Sequence, residues 1–222
     1  LLALLPNAVL GGLVANAVLA LIEVTELREL FHMRRSEFWI AVICLVSVLI
    51  LGSLPAVIIA FLLSAIDVVR RAANPHAAVL TEMPGGRGFY ASGTLQDTTA
   101  PGLIVYRFGA PLFFGNANTF TEQVEGLVER SAPPVEWFVL DAEAITDIDT
   151  TGAEALAQTI EHLQKRSVVF ALARADEPIP TLLQRYELLA RIGVERLYPS
   201  NRAAVEAFAR QTGQPALAGV GD

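Results

Sequence analysis

The sequence predicts a membrane α-helical segment of about three transmembrane helices, followed by a water-soluble α/β domain. Three observations lead there. Of 222 residues, 53% are hydrophobic and 18% charged, with a mean hydropathy of +0.48, too apolar for an average soluble domain. The excess sits at the front. Residues 1–73 carry five acids (Glu23, Glu26, Glu29, Glu37, Asp67) and five arginines (Arg28, Arg34, Arg35, Arg70, Arg71), so the net charge of −7 falls wholly on residues 74–222. Beyond residue 102, short apolar runs rich in β-branched residues alternate with helical stretches, the pattern of an α/β layer fold. The expected division is 1–73 in the membrane, 74–212 in water and a disordered tail over 213–222.

Residues 1–22 contain no charged residue, and roughly twenty apolar residues at ~1.5 Å each span a bilayer core. Small residues recur at four-residue spacing (Ala8 and Gly12, Gly11 and Ala15, Asn16 and Ala20), which lets another helix approach closely. A bundle helix and a lipid-facing anchor both fit, and Asn7 and Asn16 favour the bundle because an amide facing lipid is costly. The chain opens Leu1-Leu2-Ala3-Leu4-Leu5, with no Met and no basic region of a signal peptide. It reads as a cut inside or just before a helix.

Residues 23–37 turn amphipathic: Leu27, Leu30, Phe31 and Met33 suit the interface, Arg28, Arg34 and Arg35 the headgroups. Between Glu37 and Asp67 no residue is charged. Gly52-Ser53-Leu54-Pro55 supplies turn residues near the middle. The spacing predicts a hairpin of short helices over 38–52 and 55–70, with one kinked helix as the alternative. Arg28, Arg34 and Arg35 lie before this stretch and Arg70 and Arg71 after it. By the positive-inside rule both clusters are cytoplasmic, which agrees with a hairpin and puts all that follows in the cytosol.

In the rear part, strands are expected over 78–82, 103–108, 137–140, 168–173 and 196–198. Helices are expected over 118–130, 151–165, 181–191 and 202–211, and a loop over 84–102. The acidic balance disfavours nucleic acid. One cysteine and three scattered histidines give no disulfide framework and no metal-ligand spacing, and no cofactor motif is visible. Gly85-Gly86-Arg87-Gly88 lacks the Gly-Lys-Ser/Thr of a phosphate-binding loop.

The most informative string is residues 138–152, FVLDAEAITDIDTTG. A buried strand ends at Asp141, an acidic loop follows, and Thr150-Thr151-Gly152 opens a helix, where unpaired amides and a positive dipole gather. Two readings of the hydroxyls stay open. Thr151-x-x-Glu154 matches a capping box, making Thr151 a helix cap. Alternatively Thr151 or Thr150 takes phosphate, held by the amides and repelled by Asp147 and Asp149, a charge switch. An enzyme is not expected. Asp147-x-Asp149-x-Thr151 fits a dehalogenase-like phosphatase pattern, but the only lysine, Lys165, is in the same helix and six residues separate Asp147 from Leu140.

Residues 141–152 (DAEAITDIDTTG) resemble the signature of STAS domains in sulfate-permease (SulP) transporters. Residues 107–118 (RFGAPLFFGNAN) resemble the strand and loop before the first helix of that domain. Residues 26–30 (ELREL), 34–38 (RRSEF) and 51–55 (LGSLP) look like the loop and hairpin that end its membrane part. The resemblance implies a STAS domain with a central mixed sheet and flanking helices, cytoplasmic, on a bacterial inner or plasma membrane protein. It implies a homodimeric secondary transporter of sulfate or a related inorganic or small organic anion. The substrate site would lie upstream, between half-helices. A regulatory protein or a nucleotide is the implied partner of the domain. In anti-anti-sigma relatives the second hydroxyl of the motif is phosphorylated; it maps to Thr151, with Thr for Ser at both hydroxyl positions. The alternative is a membrane-anchored, anti-anti-sigma-like STAS signalling protein without transport.

Overall fold

The computed structural model describes residues 7–20, 24–83, 88–91 and 98–213. The chain forms two compact units, Leu1–Val68 and Val69–Asp222.

The first unit is helical: α1 (Asn7–Ala20), α2 (Val24–Met33), α3 (Arg35–Leu51) and most of α4 (Ser53–Ala73). The ends of the first expected helix, residues 1–6 and 21–22, lie outside the described residues. α3 stops at Gly52, whose φ of 86° suits glycine and whose N–H donates back to Val48 O. α4 starts at Ser53, with Pro55 in its first turn, where a missing N–H costs nothing. Among the described residues α4 alone is long and apolar enough to cross a membrane. Its 21 residues span about 31 Å. Leu49, Ile50, Leu54 and Phe61 are all more than 70% exposed, an apolar surface that these helices do not cover.

The second unit is built on a six-stranded sheet in the order β2-β1-β3-β4-β5-β6. The strands are β1 (Ala77–Glu82), β2 (Phe89–Ala91), β3 (Leu103–Phe108), β4 (Trp137–Asp141), β5 (Val169–Ala173) and β6 (Leu197–Tyr198). β3 to β6 are parallel, whereas β1 runs antiparallel to both β2 and β3. The sheet is therefore mixed. Its central strands are buried on both faces, so they read as continuous apolar runs. One face carries Ile104, Tyr106, Phe138, Leu140, Phe170 and Leu172 into a core shared with α5 (Ala117–Arg130), α6 (Thr150–Lys165), α7 (Ile179–Arg185) and α8 (Leu188–Ile192). The other face packs Val105, Trp137, Val139 and Ala171 against Ala204, Val205 and Phe208 of α9 (Asn201–Thr212).

Two expectations are corrected. The helix expected over 181–191 is broken into α7 and α8 at Glu187, which takes a left-handed φ of 58°. The break lets Leu183 and Leu188 both face the core, which an unbroken helix turning ~100° per residue does not allow. β2 lies within the expected loop over 84–102, paired with Leu80, Thr81 and Glu82 of β1. Residues 84–87 and 92–97 of that loop, and residues 214–222 of the expected tail, lie outside the described residues. Gly213 closes α9 with a φ of 71°.

Candidate functional site

The β4–α6 loop is tied to the β3–α5 loop backbone to backbone. Leu112 N–H donates to Asp147 O at 3.0 Å, and Asp149 N–H donates to Leu112 O at 3.1 Å. Ile145 and Ile148 anchor the loop from below, 4% and 3% exposed. Asp147 Oδ1 accepts from the N–H of Ile148 at 2.9 Å, so this carboxylate braces its own turn.

Asp149 is the helix cap. Its Oδ1 accepts from Gly152 N–H at 2.7 Å, and its Oδ2 accepts from Phe114 N–H at 3.0 Å. One carboxylate thus serves an orphan amide of α6 and an amide of the neighbouring loop, with its charge at the positive end of the helix. This corrects the capping-box reading: Thr151 stands inside the first turn of α6, one residue past its start at Thr150. Both hydroxyl residues are exposed. Thr151 faces a cavity of about 290 Å³ between α5 and α6, lined also by Asn118, Thr121, Glu122, Glu154 and Gln158. Two carboxylates and no base line that groove. A phosphate added there meets the dipole of α6 but also Glu154 of the same helix and Glu122 of α5.

Sequence reasoning missed a second cluster, centred on Asp141 at the end of β4. Its side chain is wholly buried. Arg107 Nε donates to Oδ2 at 2.8 Å, Arg174 Nε to Oδ1 at 3.0 Å and Asn201 Nδ2 to Oδ2 at 3.2 Å. Arg174 Nη2 bonds to both Asp141 Oδ2 and Glu143 Oε2. Burial pushes the Asp141 carboxyl up, but the hydrogen bonds from Arg174, Arg107 and Asn201 together outweigh it and hold it below the usual carboxylate value. Register explains the convergence: Arg107 pairs with Asp141 across β3 and β4, and Ala173, the residue before Arg174, pairs with Asp141 across β4 and β5. The one sequence signal was a charged residue at or next to the end of each of three apolar runs, LIVYRF, WFVLD and VFALAR.

No group of three or more His, Cys, Asp or Glu among the described residues is placed to hold a metal ion.

A mixed sheet with helices on both faces, and two threonines opening the helix after its central strand, define a STAS-type domain. The STAS domain model matches residues 94–204, and the chain belongs to the STAS domain family. The similarity reaches well beyond that domain. A Mycobacterium tuberculosis protein named "Probable sulfate transporter" is 40% identical over 212 residues, covering 95% of this chain and 38% of its own length. Sulfate transporter 1.3 of Arabidopsis thaliana is 25% identical over 210 residues, covering 90% of this chain and 32% of its own. The solved structure of the murine Solute Carrier 26 family member A9 anion transporter, inward-facing, shares the fold. Its TM-score is 0.76 at 20% identity, over 93% of this chain and 34% of that one. The chain thus spans between 32% and 38% of the length of these three transporters, and the resemblance to sulfate permeases seen in the sequence is met.

Proposed function

We propose that this chain is the carboxy-terminal part of a secondary transporter for sulfate or a related anion, joining the last membrane spans to a cytosolic regulatory STAS domain. One observation carries the reading: a single 40% identical alignment to a named sulfate transporter runs through 95% of the chain, helical front and STAS rear alike. A signalling protein that merely borrowed the domain has no reason to keep the helical front in step.

In this reading residues 1–73 supply about three spans and residues 74–212 fold in the cytosol. The break at Gly52 supports two spans between Glu37 and Arg70, returning the chain to the side marked by Arg28, Arg34 and Arg35. Thr151 is the regulatory position, Thr150 its neighbour, and Asp147 and Asp149 the acidic surroundings that a phosphate must work against. A homodimer in a bacterial inner membrane is the expected assembly.

The test is uptake of radiolabelled sulfate into proteoliposomes holding the intact protein that contains this chain. Saturable uptake above protein-free vesicles supports the transporter. Absence of uptake of sulfate and every other small anion tried, by protein that is folded and inserted, overturns it in favour of the signalling reading.

A further inference from the structure

The cluster around Asp141 opens to solvent on the α9 face of the sheet. An open cleft of about 260 Å³ lies there, lined by Phe89, Arg107, Arg174, Ser200, Asn201 and Arg202 among others. Three arginines thus line a cleft at the C-terminal ends of parallel strands, beside the N-terminus of the twelve-residue α9. Guanidinium forks and a helix N-terminus together suit an oxyanion.

Two further features sharpen the chemistry. Asn201 is 5% exposed, and its Oδ1 finds no donor among the described residues. Its amide orientation is set by Nδ2 donating to Asp141, because the reverse would press Oδ1 against a carboxylate. A residue that lines the cleft thus holds a buried acceptor without a partner, and such a group needs a donor. The second feature is the carboxylates: Asp141 and Glu143 sit among the same guanidiniums, with Glu143 Oε2 at 2.7 Å from Arg174 and 3.4 Å from Arg107. A fully deprotonated dianion is repelled by them. An anion that keeps an O–H can satisfy the arginines with its charge and the acceptors with its proton.

We propose that the Arg107–Arg174–Arg202 cleft binds a phosphate-class oxyanion that carries a hydroxyl donor, either free hydrogen phosphate or a hydroxylated phosphomonoester, and discriminates against sulfate. Sulfate has the same shape but no proton at neutral pH. The proposal does not depend on the transport reading. The size of the cleft, below the ~300 Å³ at which drug-sized ligand pockets begin, fits a phosphoryl group with little attached.

The test uses the intact protein in detergent, titrated calorimetrically at neutral pH and fixed ionic strength with inorganic phosphate, with glycerol 3-phosphate and with sulfate. Saturable binding of either phosphate, with sulfate at least tenfold weaker, is expected. Arg202→Ala is expected to weaken phosphate binding at least tenfold in protein that still melts cooperatively. Glu143→Gln, at an exposed position, is expected to narrow the gap between phosphate and sulfate. Binding by inorganic phosphate assigns the free ion as ligand, and binding by the ester alone assigns a phosphomonoester. Equal affinities for phosphate and sulfate, or phosphate binding untouched by Arg202→Ala, overturn the proposal, as does no binding of either phosphate. None of these outcomes bears on sulfate uptake, so the two readings fail separately.

Discussion

The carbonyl oxygen of Leu112 occupies the space a side chain at Gly152 needs: a Cβ built there lies 2.4 Å from it. The glycine is set by contact between two loops, since its φ lies outside the left-handed region. Helix propensity favours Gly152→Ala by about 1 kcal/mol, yet the clashing atom is backbone that is itself hydrogen-bonded to Asp149. Overpacking of this kind costs about 1–3 kcal/mol. Gly152→Ala is therefore expected to destabilise, read as a lower midpoint in denaturant melts followed by Trp137 fluorescence in a Trp39→Phe background.

The cap assignment separates two neighbouring residues. Asp149→Ala removes the acceptor for both Gly152 and Phe114 and is expected to cost about 1–2 kcal/mol, with Asp149→Asn recovering most of it. Thr151→Ala is expected to stay within about 0.5 kcal/mol of wild type, as an exposed substitution does. A loss at Thr151 as large as that at Asp149 would return the cap to the threonine.

Asp141 gives the domain an acid sensitivity of known sign. Its folded carboxyl lies below the ordinary value, so its contribution is complete above the unfolded value of about 3.9 and fades as the pH falls from there toward the folded one. Asp141→Asn leaves Arg174 and Arg107 without their buried partner, an expected cost of about 3 kcal/mol at neutral pH. The variant should also lose less stability than wild type on acidification below pH ~4. Parallel loss in both proteins would show that other carboxylates set the acid limb.

At Thr151, added negative charge meets Glu122 across the α5–α6 groove and Glu154 one turn along α6. Thr151→Glu is expected to change sulfate uptake by intact protein severalfold, while Thr151→Ala transports as wild type. Identical uptake by both variants, at equal insertion, would mark the position as idle.

The order and type of most elements were legible, because α3, β3, β4 and α6 each show their period or their apolar run without help from the rest of the chain. The break at Gly52 was legible from Gly-Ser-Leu-Pro. The break at Glu187 was not, because a glutamate in left-handed conformation carries no local mark and is imposed by the core's demand for Leu183 and Leu188. The cap was misread for a related reason. Thr151-x-x-Glu154 and Asp149-x-x-Gly152 are both acceptable openings, and only the pairing of Leu112 with Asp147 and Asp149, some 35 residues apart in sequence, selects the second. The Asp141 cluster joins residues 33, 34 and 60 positions away, which no local window sees.

The margins of the sheet carry a consequence for how anything can dock on it. Among the described residues β2 is three residues long and β6 two, and neither of these stretches presents a ladder long enough to template an incoming extended peptide. Strand-by-strand polymerisation, a hazard where many copies crowd one surface, is suppressed at both flanks. A partner must grip helices or side chains, and its specificity will be written in residues that can be exchanged without refolding the domain.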